Sequence, residues 1–267
     1  MEKLEHPLWI VEAVNALLGP LVRAVFEPMG FQFGAQPIPP YIAMSIVIVV
    51  AIIVLCALMR SRLSVEHPSK FQIVLEDGVM ALAGMLDDWI GPKGRQYLPI
   101  VAALGIFILC GNYAGLVPGL MAPTSSINVT LGCALTIWVY YHVQGIREQG
   151  LLKYLLHFGA PPGSPLWLFP MMFFIELISH TSRIMSLSLR LFGNIFGEEL
   201  VVVILASIIP FLVPLPMMLL GLITGGLQAF IFVLLSIIYL QGAVAVEHES
   251  DAHGHDAPHG RHAPAAA

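Results

Sequence analysis

The sequence predicts an all-α membrane protein of about five to six helices. Hydrophobic residues make up 57% of the 267 residues and charged residues only 11%, whereas roughly a quarter of the residues in a soluble domain are charged. The apolar residues also fall into runs long enough to cross a hydrocarbon layer of ~30 Å. This composition excludes a soluble enzyme and argues against a nucleic-acid partner, and it implies the lipid bilayer as the surroundings.

The first apolar run, at 8–33, suits a helix that lies at the membrane surface better than one that crosses it. It is interrupted by Glu12, Asn15, the pair Gly19 and Pro20, and Arg23. A proline-rich stretch at 36–40 then ends the helix. We therefore expect residues 1–40 to form an N-terminal segment that is outside the membrane or interfacial.

Three simple crossings are predicted next. Residues 41–59 carry no charge and have the length of a first transmembrane helix. The segment 61–96 mixes apolar and acidic residues, so we expect it on the membrane surface. Two further apolar runs, 97–119 and 127–146, are joined by a short uncharged loop and predict a transmembrane helical hairpin.

The last part of the membrane domain, which we place at 41–246, is predicted to contain two long helices. The run from 165 to about 209 would reach ~65 Å as one helix, so it must be tilted, bent or broken. Prolines at 210, 214 and 216 predict a turn, and 217–246 predict a final helix that returns along the first. The tail at 247–267 is rich in histidine and small residues and is expected to be disordered, with no metal site.

Basic residues are distributed unevenly among the loops. They cluster at 60–95 and 147–153, whereas the loops at 36–40, 120–126 and 209–216 have none. By the positive-inside rule the basic loops are cytoplasmic, the N-terminus is outside and the C-terminus is inside. Without a cleavable signal or transit peptide, this orientation favours a multi-pass protein of a bacterial inner membrane.

Arg190 is the most unusual residue, because it places a permanent cation inside a long apolar helix. An arginine near the bilayer centre costs at least ~2.5–3.5 kcal/mol, and it cannot escape that cost by losing its proton. The acidic residues that share its helix are two turns or more away. We therefore expect its negative partner on another helix or another subunit, and the residue to mark an ion pathway.

A polar stripe extends from Arg190 towards both ends of this helix. At 100° per residue, seven side chains fall within about 40° of one line: Glu176, His180, Arg183, Leu187, Arg190, Asn194 and Glu198. The stripe could carry a proton path, or Glu176 could simply be neutralised by His180 or Arg183. The small residues Ser186, Ser188, Gly193 and Gly197 suit either internal packing or a moving partner surface.

Three motifs resemble subunit a of the F-type ATP synthase, the membrane stator beside the rotating ring of c subunits. They are the segment 188–194 around Arg190, the segment 227–233 in the last helix, and the segment 112–119 followed by 128–130 in the predicted hairpin. The resemblance covers about 40–246. It implies a subunit that translocates ions, most simply protons, through two offset half-channels, and that is not an enzyme by itself.

The resemblance also implies roles for individual residues. Arg190 would face the ring and pair in passing with its carboxylate, and Gln228 would lie opposite Arg190 and support it by hydrogen bonding. Asn194 and Glu199 would line the outer half-channel. The cytoplasmic half-channel would be lined by Glu176, Ser179 and His180. No cofactor or metal is implied, and the partners would be the c ring, the b-type peripheral stalk subunits and the rest of the complex.

This chain departs from the family pattern at two positions. Many bacterial members have an aspartate in place of Ser126, and some have a histidine in place of Gly221. For the outer half-channel the straight-helix stripe favours Glu198, whereas the family match favours Glu199, which we take as primary. The alternatives to a proton-conducting subunit are a sodium-translocating version and, from another class, a secondary transporter, although no internal repeat of the transporter kind is present.

Overall fold

The structure is a computed structural model that describes residues 9–29, 36–61, 63–64, 67–117, 120–151, 154, 169–208 and 214–244. Within these residues it is all-α, which confirms the predicted fold class. The helices are α1 (Trp9–Phe26), α2 (Pro40–Arg60), α3 (Lys70–Ile90), α4 (Leu98–Ala114), α5 (Ile127–Gln149), α6 (Phe169–Ile208) and α7 (Pro214–Val244). The additional helix is α3, in the segment predicted to lie on the membrane surface. The predicted tail lies outside the described residues.

Among the described residues, four helices are long and apolar enough to cross a membrane: α2, α4 with the turn before it (Gly94–Ala114), α6, and α7. The chain is therefore a multi-pass membrane protein. At 40 residues, α6 would be ~60 Å long, so it is longer than the bilayer core is thick. Helix α5 is 23 residues long but is not among the four, because polar residues interrupt it.

The predicted hairpin of α4 and α5 is connected as expected but packed differently. A 3₁₀ turn, Pro123–Ser125, joins the two helices. Each of them packs against α7, and neither packs extensively against the other. The last two helices do return along each other, since Arg183 of α6 contacts Tyr239 of α7 and Glu198 contacts Thr224. Pro214 and Pro216, predicted to belong to the turn, instead form the first turn of α7, where proline is tolerated. Helix α7 is therefore the element around which α4, α5 and α6 assemble.

The core lies where these helices meet α7. Its fully buried side chains include Tyr97, Ile108, Ile137, Tyr141, Leu187, Leu191, Phe232, Ile237 and Leu240. Burying one such aliphatic or aromatic side chain contributes roughly 1.5–3 kcal/mol. Because Leu187 and Leu191 belong to α6, this burial fixes which face of α6 points inwards.

Helix α1 packs on the beginning of α2 through a small separate cluster of Val11, Ile38 and Ala43. Asn15 strengthens this contact, because its side-chain amide donates to the Ile38 carbonyl oxygen at 3.0 Å and its Oδ1 accepts from the Ile38 amide at 2.9 Å. Leu17 and Leu21 remain exposed. The predicted interfacial placement of α1 stays a prediction.

Helix α3 begins and ends with recognisable caps. The Ser69 side chain accepts a hydrogen bond from the Gln72 amide, and Gly91 follows the last turn with φ 90°, a conformation that favours glycine. The next residues are held by ion pairs, between Arg95 and Asp87 at 2.8 Å and between Lys93 and Glu148 at 3.1 Å. The second pair links the turn before α4 to the end of α5.

Gly94 should not tolerate a side chain, because a Cβ atom there would overlap the Leu86 carbonyl oxygen at the end of α3. We expect Gly94→Ala to destabilise the protein by about 1–3 kcal/mol, the usual range for overpacking, measured as a lower Tm in detergent. The control is Gly84→Ala, where a Cβ would meet nothing within 4 Å. Equal Tm values for the two variants would contradict the close approach.

Candidate functional site

Arg190 lies on the outer face of α6. Its neighbours Leu187 and Leu191 are buried, at 2% and 0% exposure, and hold the adjoining face of α6 against the core. Arg190 itself is exposed. Within the described part of the chain, ion pairs join Lys93 to Glu148 and Arg95 to Asp87, and His180 is hydrogen-bonded to Glu176. None of these contacts involves Arg190.

The surface beside Arg190 is formed by small residues. Ser186 and Gly193 are exposed and Gly197 is half-buried, and a Cβ atom on either glycine would meet nothing within 4 Å. At 100° per residue these three and Arg190 share an arc of about 60°. Ser188 differs, since it is buried with its Oγ 3.2 Å from Thr130 Oγ1. Internal packing thus accounts for Ser188, while the other three leave an open surface around the cation.

Gln228 is buried where α7 contacts α6, at 2% exposure. The expected hydrogen bond to Arg190 is not formed. Instead Gln228 Oε1 accepts from Asn194 Nδ2 at 2.7 Å, while its Nε2 has no hydrogen-bond partner among the described residues. Asn194 lies one turn after Arg190 on α6, and its side chain reaches Gln228, whereas Arg190 is exposed.

The adjacent residues Glu198 and Glu199 contact different elements. Glu198 Oε2 accepts from Thr224 Oγ1 of α7 at 3.1 Å, and its other oxygen occupies the space where a side chain on Gly221 would lie. Glu199 Oε1 accepts from the Ala122 amide at 3.2 Å, beside the turn between α4 and α5. Consecutive residues of a helix point about 100° apart, so the Glu198 carboxylate contacts α7 and the Glu199 carboxylate contacts this turn.

A buried polar network sets the register of α4 against α7. Asn112 of α4 donates to the Gly225 carbonyl oxygen at 2.9 Å, and its Oδ1 accepts from Thr124 Oγ1 at 2.8 Å. Asn112 and Thr124 are 4% and 0% exposed. Because a buried polar group without a partner is costly, this network favours one alignment of α7, the one that also brings Gln228 to Asn194.

We expect Asn112→Ala to lower the Tm of the protein, because the substitution leaves the buried Thr124 hydroxyl without its acceptor and removes the side-chain hydrogen bond to the Gly225 carbonyl. The cost of such a buried, unsatisfied group is about 1–3 kcal/mol. Thermal unfolding in detergent measures it. Asn128→Ala is the matched control, because Asn128 is exposed at the start of α5; a comparable loss in both variants would argue against the network.

A second polar cluster lies nearer the beginning of α6. His180 is 8% exposed, with its Nε2 3.0 Å from Glu176 Oε1 and its Nδ1 2.8 Å from the Tyr141 hydroxyl. The contact between Glu176 and His180 that the alternative interpretation expects is therefore present as a hydrogen bond, and it neutralises Glu176 only when His180 is protonated. Arg183 instead lies over the Tyr239 ring, 5.4 Å from its centre. Ser179 is half-buried in the same turn of α6 as Glu176 and His180.

Two residues of the site were not among those predicted, Tyr141 and Thr224. Thr224 had a visible signal, since it is one of few polar residues in an otherwise apolar helix. A polar residue in an apolar helix does not by itself identify a site residue. Ser236 in the same helix only donates to the Phe232 carbonyl oxygen of its own helix, at 2.7 Å. Tyr141 carried no signal, because a tyrosine in an apolar run is usually a packing residue.

The described residues contain no group of three or more histidine, cysteine, aspartate or glutamate side chains placed to hold a metal ion. The polar groups near α6 are arranged instead as two clusters. One contains Asn194, Glu198 and Glu199, and the other contains Glu176 and His180. The exposed Arg190 lies between them along the helix. An acidic group that approached Arg190 from outside would therefore have one polar cluster on each side of it along the helix.

Comparison with known proteins identifies the family of the chain. A model of the ATP synthase A chain family matches residues 42–241. The chain is 44% identical to ATP synthase subunit a 3 of Pelobacter propionicus over 245 residues, which are 91% of this chain and 99% of the relative. It is 40% identical to ATP synthase subunit a of Geotalea daltonii over 226 residues, 85% of this chain and 95% of the relative. The chain therefore belongs to the ATP synthase A chain family.

Proposed function

We propose that this chain conducts protons through two offset half-channels at its contact with the rotating c ring of an F-type ATP synthase. The observation that carries the proposal is Arg190, an exposed cation on a membrane helix without an ion pair among the described residues. Such a cation is costly in lipid unless a partner compensates it. The carboxylate of a ring subunit, ionised only while it passes, would be that partner.

The surface around Arg190 supports a close approach by a ring helix. Ser186, Gly193 and Gly197 lie on the same arc as the arginine, and both glycines have open space above them. Small side chains let two membrane helices come close. They also leave a smooth surface, which a helix that slides past can follow.

The two polar clusters support two separate access routes. His180 and Glu198 are ten residues before and eight residues after Arg190, or about 15 Å and 12 Å along the helix. The cluster of Glu176, Ser179 and His180 would form the cytoplasmic route. The cluster of Asn194, Glu198 and Glu199 would form the outer route. Arg190 between them would keep protons from passing directly from one route to the other.

The driving force is large enough for this mechanism. Moving one charge across 100 mV is worth about 2.3 kcal/mol. A ring carboxylate in lipid is strongly favoured to be neutral, and only beside the Arg190 guanidinium would its ionised form be stabilised. Each carboxylate would lose its proton to one route on approaching Arg190 and gain another from the opposite route after leaving, so that proton flow turns the ring.

The remaining assignments follow from the same proposal. The chain has no catalytic activity by itself, and its partners are the c ring, the b-type peripheral stalk and the rest of the synthase. The basic segments at 60–95 and 147–153 support an orientation with the N-terminus outside and the C-terminus in the cytoplasm of a bacterium, in its inner membrane. The beginning of α6, with Glu176 and His180, is then the cytoplasmic end.

The proposal is tested on the whole complex in liposomes, with ATP added outside and the internal pH followed by a quenched acridine dye. We expect acidification in buffer free of added sodium, and its collapse on addition of a protonophore. Uptake of ²²Na⁺ that does not collapse with the protonophore would identify a sodium-translocating subunit instead. If neither ion accumulates while ATP is hydrolysed, the proposed function is wrong.

A further inference from the structure

A three-membered hydrogen-bonded chain links the cytoplasmic end of α6 to the interior. Glu176 is partly open, with 40% of its side chain exposed. From its Oε1 the chain continues at 3.0 Å to His180 Nε2, and from His180 Nδ1 at 2.8 Å to the Tyr141 hydroxyl. Tyr141 is 1% exposed and belongs to α5. The histidine is thus held between a carboxylate near the surface and a phenol in the core.

The direction of both hydrogen bonds follows from the protonation states of the three groups. While Glu176 is an ionised carboxylate, which only accepts, the Nε2 of His180 is the protonated nitrogen that donates to it. A neutral imidazole then has Nδ1 as an acceptor, which the Tyr141 hydroxyl satisfies by donating. Tyr141 therefore stabilises one tautomer and one ring orientation of His180, as an outer partner does for a histidine in a metal site.

We propose that Tyr141 is a positioning residue of the cytoplasmic half-channel, which holds His180 so that its Nε2 proton faces Glu176 and the pair can exchange protons with the cytoplasm. This inference rests on the proposed function. Without the hydroxyl, Nδ1 loses its donor, and the ring can adopt the other tautomer or rotate away from Glu176. Tyr141 touches no transported proton itself and acts only through His180.

Other ionisable groups face this histidine and belong to the same environment. Glu176 on α6 and His142 on α5 contact it directly, with the His142 ring centre 5.0 Å from that of His180. Around these lie Tyr154, whose ring is 6.0 Å from that of His142, and Tyr239 on α7, whose ring is 6.1 Å from that of Tyr141 and lies under Arg183. Glu176 is the one carboxylate among these neighbours. The exchange of protons at His180 should therefore depend on its orientation towards Glu176, which is what Tyr141 maintains.

The test compares Tyr141→Phe with wild type in inverted vesicles that contain the whole complex, so that the external medium is the cytoplasmic side. We expect the initial rate of ATP-driven proton pumping per assembled complex to fall about five- to tenfold, which corresponds to roughly 1–1.4 kcal/mol in the barrier. We also expect the profile of that rate against external pH to shift from that of wild type. The profile of the rate against internal pH should stay as in wild type. The matched control is Tyr140→Phe, which removes a hydroxyl from a half-buried residue with no described hydrogen bond.

The double variant of Tyr141→Phe with His180→Ala makes the test specific. Because Tyr141 acts through His180, adding Tyr141→Phe to His180→Ala should cause no further loss of rate per assembled complex. This comparison holds even where Tyr141→Phe lowers the amount of assembled complex. A further loss in the double variant, or a Tyr141→Phe rate and external pH profile equal to wild type, would overturn the positioning role.

Arg190→Ala vesicles run in parallel separate the two proposals. If Arg190→Ala does not pump and Tyr141→Phe behaves as wild type, the half-channel proposal stands and the role of Tyr141 is wrong. If Arg190→Ala pumps as well as wild type, the proposed function itself fails and the inference falls with it.

Discussion

Vesicles with Arg190→Ala are expected to lose both ATP synthesis and ATP-driven proton pumping, to below about one hundredth of the wild-type rate, or ~2.7 kcal/mol or more in the barrier. The reason is that no other cation would be present to ionise a ring carboxylate in lipid. The described part of the chain places Arg190 exposed between the two polar clusters. Arg183, seven residues earlier, is directed to the Tyr239 ring and is not placed to substitute for it.

Assembly should survive this substitution. Arg190 makes no ion pair within the described residues, and an alanine on an exposed helix face is well tolerated. Arg190→Lys should assemble too but couple poorly, since lysine keeps the charge and loses the planar donor fork of the guanidinium. The measurements are ATP synthesis under an imposed proton gradient and dye quenching with ATP, each normalised to assembled complex.

Arg60→Ala is the control for loss of a cation, because Arg60 is exposed at the end of α2 and far from the site along the chain. It should pump at the wild-type rate. Coupled synthesis at a normal rate in Arg190→Ala would contradict the proposed mechanism. A failure of both variants would point to general loss of the complex.

Gly221→Ala is expected to reduce pumping about tenfold or more. A Cβ atom at Gly221 would overlap the Glu198 carboxylate and crowd Leu116. The carboxylate would have to move, and it would lose its hydrogen bond from Thr224. Since Glu198 lies on the proposed outer route, protons would reach the ring more slowly from that side. The measurement is ATP-driven dye quenching per assembled complex.

The matched control for this prediction is Gly242→Ala, in the same helix, where a Cβ atom would meet nothing within 4 Å. Glu198→Ala is the complementary variant, because it vacates the space that a side chain at Gly221 needs. If displacement of Glu198 is the cause, Gly221→Ala should have little further effect in a Glu198→Ala background. Additive losses would mean that Gly221 acts through Leu116 or through helix packing.

The sequence alone determined the fold class and the central residue of the candidate site. Runs of apolar residues predicted the four helices of the described chain that are apolar enough to cross a membrane, because the length needed to cross a bilayer is a local property of the chain. They also predicted α5 as a crossing, which its polar residues keep out of these four. Arg190 could be identified for a similar reason, since the cost of a charge in lipid depends on the charged residue and on the apolar segment that contains it. The two long helices that return along each other were predicted in the same way and are confirmed as α6 and α7.

Only the tertiary structure decided which polar groups meet. Asn194 pairs with Gln228 across 34 residues of sequence, Tyr141 with His180 across 39, and Asn112 with Gly225 across 113. The tertiary structure also determined that Glu198 and Glu199 contact different elements. It determined as well that α4 and α5 pack on α7 and not on each other. These contacts depend on how each helix is rotated about its axis, and a change of one residue in register turns a side chain by about 100°. That rotation is set by the burial of residues such as Leu187, Leu191 and Phe232 in a shared core, which is a property of all the helices together.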